Sequence, residues 1–171
     1  MKTITRTNLY LPMAAIILIV ALAVPAAAQN RVPFKGTMQG DDIDSPGPSP
    51  TTLVATTTGT GIGTLVGQFS FTQELTLDLV TLTATGFSHW VAANGDGIDT
   101  TLAGSGEPTD TPGVFRITDI NTITGGTGRF AGAQGSFTME RLASPVTFMT
   151  SGSFGGTITS PGAAKAEADE D

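Results

Sequence analysis

Apolar and polar residues alternate along much of the chain with a period of two, which is typical of β-strands. One clear run places apolar side chains at Leu65, Phe69, Phe71, Leu75 and Leu77. Between Phe69 and Leu77 the positions of the other parity are all polar. Because successive side chains of a strand point to opposite faces, this pattern predicts one face in a core and the other in water. The parity reverses near 79–83, where we expect a turn or a bulge.

The turn residues between these runs predict about eight short strands. Asn94-Gly95-Asp96-Gly97 is a strong hairpin signal, since Asn, Asp and Gly adopt the positive φ of such turns at low cost. After the run that ends at Leu77, further strands are expected over 86–93, 98–104, 114–124, 129–141 and 147–159. The Pro- and Asp-rich segment 41–50 predicts a long exposed loop, and 105–113 predicts another. No stretch sustains a helical apolar stripe, so the pattern predicts an all-β domain.

The first 28 residues have the pattern of a signal peptide. Lys2 and Arg6 precede an uncharged, mostly apolar run, which ends with Pro25 and three alanines. Ala26 and Ala28 are the small residues that a signal peptidase requires, so we expect cleavage after Ala28. An uncleaved membrane anchor is the alternative, because an apolar run of this length just spans a bilayer. We expect an exported bacterial protein, periplasmic or secreted, with a domain over 29–159.

Charge and cysteine content narrow the possible functions. Without Lys2 and Arg6, six basic residues face fifteen acidic ones, a formal charge of −9. An acidic surface repels phosphate backbones, so we expect no nucleic-acid partner, and nothing after the signal peptide calls for a membrane. There is no cysteine, so burial and backbone pairing must hold an exported domain together. The Ala-, Gly- and acid-rich segment 160–171 predicts a disordered tail.

A glycine-rich segment near the C-terminal third resembles one that allene oxide cyclases and dirigent proteins share. It reads Gly-Gly-Thr-Gly-x-Phe at 125–130, Ala-x-Gly at 133–135, and then Phe137. A group of exported bacterial proteins is similar also at 59–69 and 92–96, so that the resemblance spans about residues 32–159. It implies a single closed antiparallel β-barrel. No motif matches the active-site residues of the plant enzymes, so it implies no catalytic set.

The same glycines have a structural interpretation. Gly125, Gly126 and Gly128 suit a tight turn that needs left-handed dihedral angles. Gly132 and Gly135 suit a point where a strand bends sharply to close a barrel. The segment lacks the Lys-Ser/Thr pair of a phosphate-binding loop, and no helix pattern follows it. We therefore expect a structural turn and no nucleotide or other cofactor.

Two polar clusters could have either a catalytic or metal-binding role or a purely structural one. His89 is the only histidine, and its neighbour Ser88 points to the opposite face of a strand, which argues against a hydrolase pair. Asn94, Asp96 and Asp99 place oxygen ligands close together, so a weak calcium site is an alternative to a simple hairpin. With one histidine and no cysteine, we expect no other metal site.

The best candidates for function are polar residues that share parity with apolar ones. Asp119 and Asn121 lie on the same face as Phe115, Ile117 and Ile123. If no bulge intervenes, both point into the barrel, where a buried carboxylate needs a partner or a raised pKa. A bulge would instead place both in water.

The partner of Asp119 and the role of the aromatic residues are open at this point. Arg129 and Arg141 are the candidate partners. Trp90 is a further candidate ligand contact. The alternative is that it fills the barrel together with Phe137, Met139, Phe148 and Phe154, because eight-stranded barrels are wide enough for either.

Three classes of function fit these observations. The first is a non-catalytic barrel that binds a small apolar molecule or a partner. The second is a dirigent- or cyclase-like enzyme that guides a reactive intermediate without a cofactor. The third is a structural envelope protein. We favour the first, because an enzyme needs several convergent polar groups and the sequence offers few.

Overall fold

A computed structural model describes residues 30–159, and in it the chain forms eight antiparallel strands joined by connecting segments. The strands are β1 (Arg31–Pro46), β2 (Thr52–Gly63), β3 (Gly67–Asp78), β4 (Thr83–Ala92), β5 (Gly97–Pro108), β6 (Phe115–Gly126), β7 (Gly135–Ser144) and β8 (Met149–Thr159). Each strand pairs antiparallel with the next, and β8 pairs with β1. The prediction of a closed antiparallel barrel is therefore confirmed. The predicted signal peptide and the predicted tail at 160–171 lie outside the described residues.

Two segments that the sequence predicts as loops belong in part to strands. β1 continues through Pro46, where Asp41 to Pro46 pair with β2, so only 47–51 forms the connection. β5 continues to Pro108, which pairs with Phe115. Both predictions were wrong for the paired residues because they rested on local composition, whereas pairing with a neighbouring strand also satisfies the backbone of a polar segment. Each proline stands at the end of its strand, where a missing N–H is tolerated.

The glycine turn, as we call residues 125–135, differs from its prediction in the opposite way, because part of a predicted strand is a connection. A strand was expected from Arg129, but Gly128–Phe130 forms a short 3-10 helix and β7 begins only at Gly135. The predicted strands over 86–93, 114–124 and 147–159 correspond to the observed strands β4, β6 and β8. The hairpin at Asn94 joins β4 to β5, and a turn at 79–82 explains the reversal of parity. Among residues 30–159, no helix is long and apolar enough to cross a membrane.

The alternating connections define two ends of the barrel. At the first end lie the connections 64–66, 93–96 and 127–134 together with the ends Arg31 and Thr159, and we call this the aromatic end. At the second lie 47–51, 79–82, 109–114 and 145–148, and we call this the cavity end.

Six rings in mutual contact fill the interior at the aromatic end. All are buried, with at most 4% of their surface exposed, and they are Phe34, Phe69, Phe71, Trp90, Phe137 and Phe154. Phe69 stacks on Trp90 at 4.5 Å between centroids, and Phe137 meets Trp90 edge-on at 5.2 Å. Glycine makes room for the rings, since a Cβ on Gly61 would collide with Phe69. Edge-on and offset contacts of this kind stabilise a core beyond the area they bury.

Candidate binding cavity

A layer of buried polar side chains crosses the middle of the barrel, between the six rings and the cavity end. We call it the polar layer, and its members are Thr57, Gln73, Ser88, Thr100, Asp119, Asn121, Arg141 and Thr150. Asp119 and Asn121 are fully buried. The register of β6 is regular from Phe115 to Ile123, with a shift only at Asp99/Thr100 on β5. The parity argument that pointed both side chains inward is therefore correct, and the alternative that placed them in water is wrong.

Arg141 is the partner of Asp119. Its Nε donates to Asp119 Oδ2 at 2.9 Å, and its Nη1 donates to Thr150 Oγ1 at 3.2 Å. The side chains of Arg141 and Asp119 are 5% and 0% exposed. A pair this deeply buried is held by both its mutual attraction and its additional hydrogen bonds.

Arg129, the other candidate partner, lies at the aromatic end and contributes nothing to the polar layer. Its Nε is 3.4 Å from Asp96 Oδ2, and its guanidinium lies over the Phe130 ring at 4.9 Å from the centroid. The 3-10 helix turns the side chain outward, where it is 40% exposed. The prediction that Arg129 joins Asp119 in a ligand site has no geometric support.

One oxygen of the buried carboxylate is free. Among residues 30–159, Asp119 Oδ1 and Gln73 Nε2 are the buried side-chain atoms without a hydrogen-bond partner. Asp119 Oδ1 lies directly over Gly104, its cross-strand neighbour on β5, where a Cβ would collide with it. An unpaired buried acceptor costs about 1–3 kcal/mol. It is therefore an unsatisfied acceptor in the wall of the barrel interior, where a hydrogen-bond donor would be favourable.

Asn121 belongs to a hydrogen-bonded chain that ends at Trp90. Thr100 Oγ1 donates to Asn121 Oδ1 at 3.1 Å, Thr100 and Ser88 share a hydrogen bond of 2.7 Å, and Trp90 Nε1 donates to Ser88 Oγ at 2.8 Å. Trp90 thus fills the barrel and its polar atom is satisfied, which matches the alternative interpretation and not the predicted ligand contact. Ser88 faces inward while His89 is half exposed on the other face, so the two form no hydrolase pair.

Beyond the polar layer, the cavity end holds an apolar cavity of about 220 Å³. Its walls are chiefly Leu53, Leu75, Leu77, Leu82, Phe115 and Ile117. Asp119, Arg141 and Thr57 lie at its polar end, and Asp42, Asp44 and Phe148 also line it. Small residues on the inward positions of the strands, among them Ala55, Ala84, Gly104 and Ala143, leave the space that rings occupy at the aromatic end.

The cavity was not predicted from the sequence, although a signal for it exists. On β4, β5 and β7 the inward residues change from large to small toward the cavity end. Reading that change requires the strand order and register, which place these small residues side by side.

Asp42 and Asp44 give the cavity its excess of negative charge. Both stand on the inward parity of β1, opposite Thr57 and Ala55 of β2. Thr57 Oγ1 donates a hydrogen bond to Asp42 Oδ1. Partial burial, and after it the repulsion of Asp42, raises the pKa of Asp44 above its ordinary value. Neither carboxylate forms an ion pair with any cation in residues 30–159.

The residues of the weak calcium alternative do not converge. Asp99 Oδ1 is 2.6 Å from His89 Nδ1, while Asp96 Oδ2 accepts a hydrogen bond from Asn94 Nδ2 at 2.7 Å and faces Arg129. Within the described part of the chain, no three His, Cys, Asp or Glu side chains are arranged to hold a metal ion. The Asn94 segment is a hairpin whose polar side chains bind one another.

The glycine turn is structural and remote from the cavity. Gly125 and Gly126 end β6, and Gly135 begins β7. Gly128 and Gly132 take φ values of +59° and +69°, which side chains with a Cβ rarely adopt. The turn carries Phe130 into the aromatic end, where the ring is 1% exposed. It therefore closes the aromatic end.

The fold and the cavity define a class, which is a closed antiparallel barrel packed at one end and hollow at the other. No protein-family model, no curated protein and no solved structure matches the chain. Because unrelated proteins share closed barrels, the fold alone does not assign a function. The resemblance to allene oxide cyclases and dirigent proteins stays an interpretation of the glycine turn, and a functional conclusion has to rest on the cavity.

Proposed function

We propose that this protein is an exported, non-catalytic barrel that binds one small apolar molecule in its cavity end. The observation that carries the proposal is the leucine-lined cavity, which contains a buried carboxylate with a free oxygen. Small-molecule sites are mostly apolar concavities with a few polar groups that fix orientation. Export is supported by the basic start, the apolar run and the three alanines. Kinship with the allene oxide cyclase and dirigent barrels is supported by the glycine turn alone.

The walls of the cavity supply the energy of binding. Each methylene group that leaves water for such walls contributes about 0.8 kcal/mol. A ligand with about six buried carbons therefore gains roughly 5 kcal/mol, against which the loss of its translational and rotational freedom must be set. Leu82 and Phe148, which border the cavity from turns, take φ values of +54° and +57°. Strained residues of this type cluster at functional sites.

A neutral fluorescent probe tests the proposal. We expect N-phenyl-1-naphthylamine to bind at one molecule per chain and to accept excitation energy from Trp90, the only tryptophan. Ala84→Phe places a ring in the cavity and should abolish binding. Ala103→Phe adds the same ring at an exposed position on the outer face of the next strand and should not. If the folded protein binds no probe, the structural role becomes the better proposal.

Cofactor-free catalysis on the bound molecule is the second candidate, and the free Oδ1 of Asp119 favours it. A buried carboxylate next to a bound ligand is placed to act as a general base. Asp119→Asn keeps the shape of the side chain and removes that base. A protein that converts a bound compound, and that loses conversion but keeps binding in this variant, would support the enzyme.

A further inference from the structure

We propose that the ligand of the cavity carries an ammonium group, so that the protein selects apolar amines over fatty acids. This inference rests on the proposed function, because it concerns the polar group of a molecule held by the same apolar walls. It follows from the balance of charges that line the cavity and from an unpaired acceptor in its wall.

The charged groups of the cavity are three carboxylates and one guanidinium. The lining residues Asp42, Asp44 and Asp119 carry the three negative charges and Arg141 carries the positive one, which leaves a formal charge of −2. Arg141 is already committed, since it donates to Asp119 at 2.9 Å and to Thr150 at 3.2 Å. A ligand carboxylate would therefore meet two unneutralised carboxylates and a cation that is already paired.

Asp42 and Asp44 are the uncompensated charges. Among residues 30–159 neither has a cationic partner, and Asp42 is held by one hydrogen bond from Thr57. The raised pKa of Asp44 is consistent with this uncompensated charge, because its causes are partial burial and the charge of Asp42. A ligand cation would relieve this repulsion, and a ligand anion would increase it.

The free oxygen of Asp119 is an independent observation that points to a donor. The side chain is fully buried and lines the cavity, and its Oδ1 has no hydrogen-bond partner. An ammonium group offers three N–H donors and no acceptor, whereas a carboxylate offers acceptors only. Both the net charge and the unused acceptor therefore favour the amine.

Three ligands of equal chain length test the proposal. Octylamine, octanol and octanoate are titrated against displacement of the neutral probe near neutral pH, where the amine is charged and the acid is ionised. We expect octylamine to bind at least about tenfold more tightly than octanoate, since two carboxylates each contribute a factor of several at short range. Octanol should lie between them.

Matched variants assign the preference to the acidic pair. Asp42→Asn combined with Asp44→Asn should weaken octylamine about fivefold or more and leave octanol unchanged. Asp41→Asn removes one negative charge from an exposed, outward position of the same strand and should leave octylamine unchanged.

The outcomes separate failure of this inference from failure of the proposed function. If octanoate or octanol binds best, or if the double variant keeps the preference for octylamine, the ammonium proposal is wrong while the apolar cavity stands. If neither the probe nor any of the three ligands binds a folded sample, the proposed function fails, and this inference fails with it.

Discussion

At the aromatic end six rings fill the barrel, whereas at the cavity end the same strands present leucine, alanine and glycine around an apolar space. On β4 the inward side chains are Trp90 and Ser88 toward the first end and Ala84 toward the second. On β7 Phe137 gives way to Arg141 and then to Ala143. The polar layer separates the two halves, so one barrel contains a packed core and a cavity that share a wall.

The difference shows how a small barrel obtains stability and a binding site together. An eight-stranded barrel is just wide enough either for its own side chains or for one small ligand. Here the aromatic end takes the first option and contains the buried apolar cluster around Phe34 and Trp90. The cavity end has room for a ligand instead, and its side chains pack less closely. Substitutions at the two ends should therefore have different costs, and the predictions below test that difference.

The largest expected effect comes from a matched pair of phenylalanines on neighbouring strands. Phe137→Ala should lower the free energy of unfolding by about 3–5 kcal/mol, because it removes a ring that is 2% exposed and leaves a hole among three other rings. Phe115→Ala should cost roughly 1–2 kcal/mol, since that ring is half-buried and already borders a cavity. Urea denaturation of both variants at constant slope measures the difference.

The two variants should also differ in binding. Phe115→Ala enlarges the cavity and should change the affinity of the neutral probe, whereas Phe137→Ala should leave it unchanged while the protein is folded. Equal losses of stability at the two positions would contradict the division of the barrel into a packed and a hollow half.

The next effect concerns the ion pair in the polar layer. Asp119→Leu leaves Arg141 buried without its partner and should cost about 3 kcal/mol, at the low end for such pairs because the cavity lies beside it. Arg141→Met should cost a similar amount. The combination of both should cost less than either alone, because no charge is then left unpaired.

A double-mutant cycle by denaturation measures this coupling. Glu140→Gln, at the exposed neighbour of Arg141, is the control and should change stability by less than about 0.5 kcal/mol. Additive losses from the two single variants would show that Asp119 and Arg141 do not act as a pair.

The polar layer also shows which features of the site the sequence alone predicts. Parity places Asp119 and Asn121 inside, because the β6 register is unbroken and side-chain direction in a strand is local. The choice between Arg141 and Arg129 could not be made, since it depends on where β7 begins. The 3-10 helix at Gly128–Phe130 and the four residues after it set that start, and no pattern in the segment reports their length.

The cavity and the length of β1 could not be predicted from the sequence, for a different reason. Segment 41–50 has the composition of a loop, yet backbone pairing with β2 extends the strand and places Asp42 and Asp44 at the cavity. The cavity exists because small residues of several strands meet at one level of the barrel. Both features depend on contacts between distant segments, which one sequence does not reveal.

A smaller effect is expected at the turn that closes the aromatic end. Gly128→Val should cost about 1–3 kcal/mol, because valine disfavours a φ of +59° and its Cβ would collide with the Asp96 carboxylate. Gly125→Val is the matched control. A Cβ at Gly125 meets no atom within 4 Å and its φ is not positive, so the denaturation midpoint should barely move. Equal shifts in the two variants would show that the turn is not strained.

The smallest effect belongs to the rim of the cavity end, at Asp44. The pKa of this carboxyl is raised by partial burial and by Asp42, so the folded protein holds the proton more tightly than the unfolded chain. Ionised Asp44 therefore destabilises the fold slightly at neutral pH, and the cost disappears as the pH falls through the raised pKa toward the ordinary value. Because the side chain is largely exposed, we expect Asp44→Asn to raise the free energy of unfolding by no more than about 0.5 kcal/mol.

The pH dependence of that gain distinguishes the rim from an ordinary surface site. The gain from Asp44→Asn should be present at neutral pH and vanish in acid, where Asp44 of the parent protein is also uncharged.

Asp42→Asn should lower the pKa of Asp44 back toward its usual range, as a carboxyl-detected NMR titration would show, because it removes one of the two causes of the shift. Asp41→Asn, on the outer face of the same strand, should leave that pKa where it is. If Asp41→Asn moves the pKa as much as Asp42→Asn does, the repulsion is a general property of the acidic surface, and the two inward carboxylates do not form a local site at the cavity.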